Sequence, residues 1–167
     1  THVSGGGAGF AYLKRGARLD ATTGAPDTAW NPAFDGTPIF VSLSASGDRA
    51  YYGGFMSTMN DDVTAAMRFV AVTTTAPAQP VAGLAPWVMS SGGNNYQQTG
   101  VEVGDRFWLG GSEHAFFMYE RSTFSLLRGN ITRSDSGTGG DSQSSAVDGA
   151  AGQGSCHFFR SCHSGAG

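Results

Sequence analysis

Apolar residues along the chain fall in short runs of roughly four to six, each broken by Gly, Asn, Asp or Pro, which is the pattern of an all-β protein. Clear strand candidates are PIFVSLS (38–44), RAYYGGF (49–55), GVEV (100–103), RFWLGG (106–111), AFFMYE (115–120) and FSLLRGNI (124–131). DDVTAAMRFVAV (61–72) opens like a helix but ends in β-branched residues, so its second half also reads as a strand. Ser-Gly-Asp in LSASGDR (43–49) supplies a hairpin turn, and VGDR (103–106) a tighter one. The segment 132–155 is Ser- and Gly-rich and reads as loop or linker.

The strand pattern repeats. GDRAYYGG begins at Gly47 and GDRFWLGG at Gly104, each a charged turn, three large residues and a glycine pair. Upstream, RLDATTGAPDTAWNP (18–32) parallels RFVAVTTTAPAQPVAGLAPW (68–87), which sets Arg18 against Arg68 and Trp30 against Trp87. GGNNYQQTGVEVGD (92–105) similarly parallels GGDSQSSAVDG (139–149). Three matches in one order imply a unit of about 50 residues with about four strands, the period of a β-propeller blade. One small twisted sheet cannot cover both its faces, whereas stacked sheets cover each other. The glycine pairs then mark places where backbones approach closely or bulge. A β-sandwich, which needs no repeat, is the alternative.

The stretch RLDATTGAPDTAWNPAFDGTPIFVSLSASGDRAYYGGFMSTMND resembles the repeat of secreted bacterial β-propellers. In that repeat an LDATTG…D..WNP hairpin precedes an inner strand, an S.DG..LYVGG.F hairpin and a t.nG turn. The likeness is good over 18–61, fair over 68–116 and loose beyond. THVSGGG at the start resembles the segment after GG.F, as MSTMNDD follows Gly53-Gly54-Phe55. The resemblance implies a single, partial propeller over 1–167, with units near 1–61, 62–116 and 117–167. Its remaining blades are then expected from sequence outside this stretch or from other chains. It also implies an exported or surface-attached protein, secreted or at the cell surface, without assigned chemistry.

Composition narrows this only in part. Charged residues are 14%, against about 25% in ordinary domains, so Ser, Thr, Asn, Gln and backbone must wet the surface. A net charge of −3 gives no basic footprint for nucleic acid or anionic membrane. No apolar stretch approaches the roughly 20 residues of a membrane span. The expectation is a mature product or a piece of something longer. Cys156 and Cys162 in SCHFFRSCH are expected to form a disulfide in an oxidising compartment. The adjacent His157 and His163 make a zinc site conceivable, but neighbouring residues on a strand face opposite ways.

Several residues are candidates for chemistry. Glu113 and His114 follow a glycine turn and offer a general acid–base pair, and Glu102 and Asp105 are further acids for a polysaccharide hydrolase of axial carboxylates. Glu102 and Asp105 also flank a hairpin turn, where acids serve as turn formers. Asp35, Asn94 or Asn95, and Asp141 each stand before a presumed inner strand. A ring of such oxygens would hold Ca²⁺ or water, and an Asx-turn would use them structurally. Gln97 and Gln143 recur in the same way. Trp87 and Tyr96, among the aromatics Trp30, Trp108, Tyr51, Tyr52 and Tyr119, are candidates for stacking on glycan rings; the structural reading, with Trp108 as core inside an apolar strand and Trp30 and Trp87 as a repeated packing position near a proline, is favoured over it. The reading is an extracellular binding or structural module for a glycan or surface protein, or a virion attachment component, with the hydrolase as its rival. No phosphate loop, GxSxG elbow, HExxH or dinucleotide fingerprint occurs.

Overall fold

The computed structural model describes residues 2–4, 10–61, 64–66, 68–83, 97–111, 116–128, 142–147 and 156–160. In chain order the strands are β1 (His2–Ser4), β2 (Phe10–Tyr12), β3 (Pro38–Leu43), β4 (Arg49–Gly54), β5 (Thr58–Met59), β6 (Thr64–Ala65) and β7 (Phe69–Thr73). They continue with β8 (Gln97–Val103), β9 (Arg106–Gly111), β10 (Phe116–Glu120), β11 (Leu126–Arg128), β12 (Ser142–Val147) and β13 (Cys156–Arg160). Among the described residues there is no helix, and none long and apolar enough to cross a membrane. The chain is all-β, built on two antiparallel sheets ordered β3-β4-β7 and β11-β10-β9-β8. Three hairpins, β1-β2, β5-β6 and β12-β13, accompany them.

The two sheets share one pairing scheme. Leu43 faces Ala50, Val41 faces Tyr52 and Phe40 faces Gly53; the register then slips, and Pro38 faces Gly54. In the second sheet Glu102 faces Phe107, Gly100 faces Leu109 and Thr99 faces Gly110; the same slip follows, and Gln97 faces Gly111. Gly53–Gly54 and Gly110–Gly111 are therefore equivalent, and each glycine pair stands opposite a β-bulge. The third strands agree, Tyr52 pairing Val70 as Leu109 pairs Phe117. Only the first turn differs, with 45–48 joining β3 to β4 where Gly104 and Asp105 suffice for β8 and β9.

A third copy of the outer hairpin precedes these sheets. Leu19 bridges Pro26, as Val72 bridges Pro80 and Tyr119 pairs Leu126. This register sets Arg15, not Arg18, level with Arg68. Both hold left-handed φ, 65° and 69°, and each guanidinium donates to nearby main-chain carbonyls, Arg15 to Phe34 and Asp35, Arg68 to Phe55. Side-chain resemblance between RLDATTG and RFVAVTT had suggested the Arg18–Arg68 match. Backbone pairing gives another.

In the first sheet β4 and β7 are covered on both faces, with β4 buried from Ala50 to Gly54 and β7 from Phe69 to Val72. One face puts Ala50, Tyr52, Val70 and Val72 against Trp30, Phe34, Met56, Met59, Ala66 and Ala78. The other puts Tyr51, Phe69 and Ala71 against Phe107, Leu109, Phe117, Tyr119 and Phe124 of the second sheet. Tyr51 and Phe107 stack with centroids 4.2 Å apart, and Phe69 lies 5.4 Å from Phe107. Such pairs add about 0.5–1.5 kcal/mol each beyond area burial. By the shared register, Phe107, Leu109, Phe117 and Tyr119 correspond to Ala50, Tyr52, Val70 and Val72. The second sheet thus turns toward the first the same face that the first turns toward the Trp30 layer. Like faces point the same way.

Room for this stacking comes from missing side chains. A Cβ on Gly53 would stand 2.0 Å from the Phe40 ring and 2.8 Å from the carbonyl oxygen of Gln97 in the other sheet. A Cβ on Gly100 would meet Phe107 at 2.7 Å and Phe40 at 3.1 Å. Phe40 is therefore a wedge between sheets, seated in the gap that two glycines leave.

Strand assignments from sequence hold for β3, β4, β9 and β10 within a residue; β7 starts two residues later than the expected MRFVAV, at Phe69, β8 starts earlier, at Gln97, and β11 is shorter. The helical look of 61–66 gives way to β6, because Ala66 is buried in the Trp30 layer. The disulfide expectation rests on Cys156 in β13 and on Cys162, which lies outside the described residues, as does His163.

Candidate functional site

Among the described residues, the polar side chains that sequence reading singled out lie at the two ends of the sheets. At one end are the turns 44–49, 103–106 and 120–125, brought together because β3–β4, β8–β9 and β10–β11 all reverse there. Glu102 is the centre of this cluster. Its side chain is 2% exposed. One oxygen accepts from the Tyr51 hydroxyl, the other from the Ala45 backbone N–H at 2.9 Å, and Arg121 lies 3.7 Å away. A carboxylate on the first strand of one sheet thus bonds the turn and the second strand of the other.

Arg49 runs a second bridge. It donates to the Arg121 carbonyl at 3.2 Å, lies 5.4 Å over the Phe124 ring and pairs with Asp48 at 3.1 Å. Burial works against its charge, but Asp48 and Tyr51 outweigh burial and raise its pKa. Burial lifts the Tyr51 phenol well above its ordinary value, and the bond it donates to Glu102 adds to this. Asp48 is held far below the ordinary carboxylate range by the Ser46 hydroxyl, Arg49 and the Ser44 hydroxyl. Phe124 keeps a left-handed φ of 55° while packing on Tyr51.

One correspondence escaped the sequence. Asp20 accepts from Thr22 N–H, Thr23 N–H and the Thr23 hydroxyl, and Ala25 N–H donates back to Thr23 Oγ1. Glu120 accepts from the Ser122 hydroxyl, Thr123 N–H and the Thr123 hydroxyl, and Ser125 N–H donates to Thr123 Oγ1. Asp20-Ala-Thr-Thr-Gly-Ala and Glu120-Arg-Ser-Thr-Phe-Ser are one turn, with Gly24 at φ 70° where Phe124 stands. The legible signal was an acid followed three residues later by threonine. Thr23 N–H and hydroxyl lower Asp20, and the Thr123 hydroxyl and N–H lower Glu120 to about 2.

Glu102 and Asp105, two of the acids listed for a hydrolase, both stand at the β8–β9 turn. Glu102 is enclosed by its partners, while Asp105 is exposed in a tight turn, pairing Arg106 at 2.7 Å. Gly111 and Phe116, which bracket Glu113 and His114, stand at the other end of β9, about 17 Å of strand away. Glu113 and His114 themselves lie outside the described residues.

At that opposite end Asp35 accepts from Ser57 N–H at 2.8 Å and Thr58 N–H at 2.9 Å, while its own N–H donates to Thr58 O. Burial raises its pKa, but the Thr58, Ser57 and Gly36 N–H groups together prevail and lower it. The carboxylate fastens the chain after β4 to the start of β3. Gln97 is buried at the matching start of β8. Asn94, Asn95, Tyr96, Asp141 and Trp87 lie outside the described residues, and Gln143 is described by its backbone in β12 alone. The Ca²⁺ ring of Asp35, Asn94 and Asp141 is represented here by Asp35 only. Among the described residues no three His, Cys, Asp or Glu side chains stand close enough to hold a metal ion.

Of the aromatic candidates, Trp30, Tyr51, Tyr52 and Tyr119 are core, and Trp108 is half-buried. Trp30 Nε1 donates to the Thr73 carbonyl at 2.8 Å, so its polar edge is also used within the fold. A hollow outside the sheets is lined by Arg18, Leu19, Asp20, Ala21, Ala25, Pro26 and Asp27, all of one hairpin. No family model matches the chain, no curated protein matches it, and no solved structure matches it.

Proposed function

We propose that this chain is a β-propeller-type binding or structural module of an exported or surface-attached protein, with stacked sheets as scaffold and loops as the contact surface. One observation carries the reading: the two sheets repeat the same register and bulge, and they stack with like faces pointing the same way. A two-layer sandwich brings inner faces together and leaves outer faces to solvent. A sheet buried on both faces by neighbours in a head-to-tail series suits radial repetition.

The binding reading gains further support from the acids. Glu102, Asp35, Asp48, Asp20 and Glu120 each spend their oxygens on turns or on the joint between sheets. General acid–base work needs a carboxyl within reach of a substrate proton. Low charge and Ser/Thr/Gly-rich loops agree with an extracellular setting.

A glycan array probed with the 167-residue chain tests this reading, followed by Trp87→Ala and Tyr96→Ala against any hit. Binding that one or both variants lose is the expected result. Release of reducing ends from a polysaccharide panel, abolished by Glu113→Gln, would overturn it in favour of the hydrolase.

A further inference from the structure

As shapes, the stacked sheets are close to interchangeable. The first two share register, bulge and glycine pair, and they stack with like faces pointing the same way. The β12–β13 hairpin follows the same scheme. Val147 faces Cys156 as Leu43 faces Ala50 and Glu102 faces Phe107, and one extra residue again falls on the first strand, between Ser142 and Ser145. This hairpin packs on β8 and β9 as β8 packs on β3 and β4. Apolar contact is non-directional, so like faces alone do not dictate which sheet seats on which, or at what offset.

One buried polar contact breaks the likeness. Leu43, Glu102 and Val147 hold one place in the repeat, at the end of each first strand. Of the three, Glu102 alone carries a charge, and its side chain is 2% exposed. It accepts from the Tyr51 hydroxyl and from Ala45 N–H, both on the first sheet's side of the joint. Tyr51 is fully buried, and its ring stacks on Phe107 as a phenylalanine would. A sheet that brought Leu43 or Val147 to this place would bury the Tyr51 hydroxyl without an acceptor. An offset that carried Glu102 past Tyr51 would bury a carboxylate without its donor. Both are costly.

We infer that the Glu102–Tyr51 contact is a registry device, which fixes the order and offset of the stacked sheets rather than their strength. The inference rests on the stacked-sheet reading above. Replacing a well-bonded buried polar pair by apolar side chains of like size is often neutral for stability, and a single polar residue in a coiled-coil seam sets register and partner. Removing one partner alone is a different perturbation, because it strands the other. The first sheet already holds the apolar residue that this place accepts, Leu43.

Amide ¹H–¹⁵N spectra of the 167-residue chain and of Tyr51→Phe/Glu102→Leu, beside urea unfolding, test the inference. The double variant is expected to keep or exceed the wild-type urea midpoint. It is also expected to show a second set of peaks from β3, β4, β8 and β9, at about 5–10% of the first. Wild type shows one set, and so does Glu102→Gln, which keeps an acceptor for Tyr51 and Ala45. Should the double variant fail to fold, Tyr51→Phe alone, which deletes one oxygen, shows the second set more weakly. One set in every folded variant, or two in the wild type, overturns the proposal. A midpoint in the double variant as low as that of Glu102→Ala overturns it too, because the contact is then a source of strength. Gly53→Ala separates this role from the stacking. If it destabilises the fold while the double variant keeps one set, only the registry role is lost; if it is harmless, the stacking itself is wrong.

Discussion

Replacing Gly53 with alanine perturbs the joint between the sheets at one atom. The added Cβ would lie 2.0 Å and 2.7 Å from Phe40 ring carbons and 2.8 Å from the Gln97 carbonyl oxygen. The ring can swing, since Phe40 is only half-buried. The carbonyl cannot, because Gln97 faces Gly111 at the bulge of the other sheet. Relief requires the sheets to separate by about half an ångström. A gap of that size forfeits roughly a quarter of the dispersion energy across the Tyr51–Phe69–Phe107 contact. Overpacking of this kind costs about 1–3 kcal/mol. Removing a glycine from the unfolded chain returns about 0.5–1 kcal/mol. The unyielding carbonyl puts this contact at the upper end of that cost, so the net expectation is a loss of about 2 kcal/mol, or roughly 4–8 °C in Tm for a chain of this size. Urea unfolding followed by tryptophan fluorescence reads it. Two controls sharpen the result. Gly47→Ala, at φ 71° with no neighbour within 4 Å, should lose only about 1 kcal/mol from left-handed strain. Phe40→Ala in the Gly53→Ala background should relieve the ring clash and leave the carbonyl clash. Wild-type stability in Gly53→Ala would refute close stacking at this point.

Three further expectations follow from the polar contacts. Glu102→Ala leaves the Tyr51 hydroxyl and Ala45 N–H without their acceptor and should cost about 3 kcal/mol in urea unfolding; a double-mutant cycle with Tyr51→Phe should show coupling of about 1 kcal/mol or more, and additivity would deny the bond. Asp35→Ala should cost about 2 kcal/mol by freeing the Ser57 and Thr58 N–H groups. Added Ca²⁺ should leave the wild-type Tm unmoved; a Ca²⁺-dependent rise that Asp35→Asn abolishes would make Asp35 a ligand. Asp20, Asp27, Asp35, Asp48 and Glu120 all have folded pKa values below their unfolded ones. The unfolded chain then binds protons first as pH falls, so their contribution is complete above about pH 5 and declines through the range down to Glu120 at about 2. Thermal melts should be flat from about pH 7 to 5 and fall below about 4, with a shallower fall in Asp48→Asn; an unchanged slope in that variant would count against the turn bonds.

The strands were legible because Gly, Pro and Asx residues punctuate them, and turn chemistry is local. The glycine pair was legible as well, since a costly phrase stood twice at the end of a strand. The Asp20–Glu120 correspondence was not. DATTGA and ERSTFS share an acid-then-threonine spacing but little else, and Phe124 takes a backbone conformation usually left to glycine because its ring packs on Tyr51 and under Arg49. Tertiary packing overrode local preference there. Glu102 was visible as an acid beside a turn, but its role was not. Whether a carboxylate at a strand end faces solvent or a neighbouring sheet depends on a partner residue far away in the chain, here Tyr51, and on a sheet-to-sheet contact that no local pattern encodes. The aromatics were legible as packing residues, and Trp30, Tyr51, Tyr52 and Tyr119 are buried, as sheets that stack on one another require of their large side chains.

The repeated Gly-Asp-Arg phrase then has one physical account. Glycine allows the left-handed turn residue, at φ 71° for Gly47 and 59° for Gly104. Aspartate closes the turn or pairs with its neighbour, Asp48 through Ser44 and Ser46, Asp105 through Arg106. Arginine is the part that reaches outward, because it opens the second strand with its side chain at the sheet's rim. Arg49 uses that reach to bond the Arg121 carbonyl and cover Phe124 of the next sheet, and its side chain is 18% exposed. Arg106 holds the equivalent place and is 38% exposed. If the phrase exists to tie each sheet to its successor, Arg49→Ala should weaken the joint by about 2 kcal/mol, more than Arg106→Ala, through loss of both the charged hydrogen bond and the packing on Phe124. Equal and negligible effects would reduce the phrase to two ordinary turns.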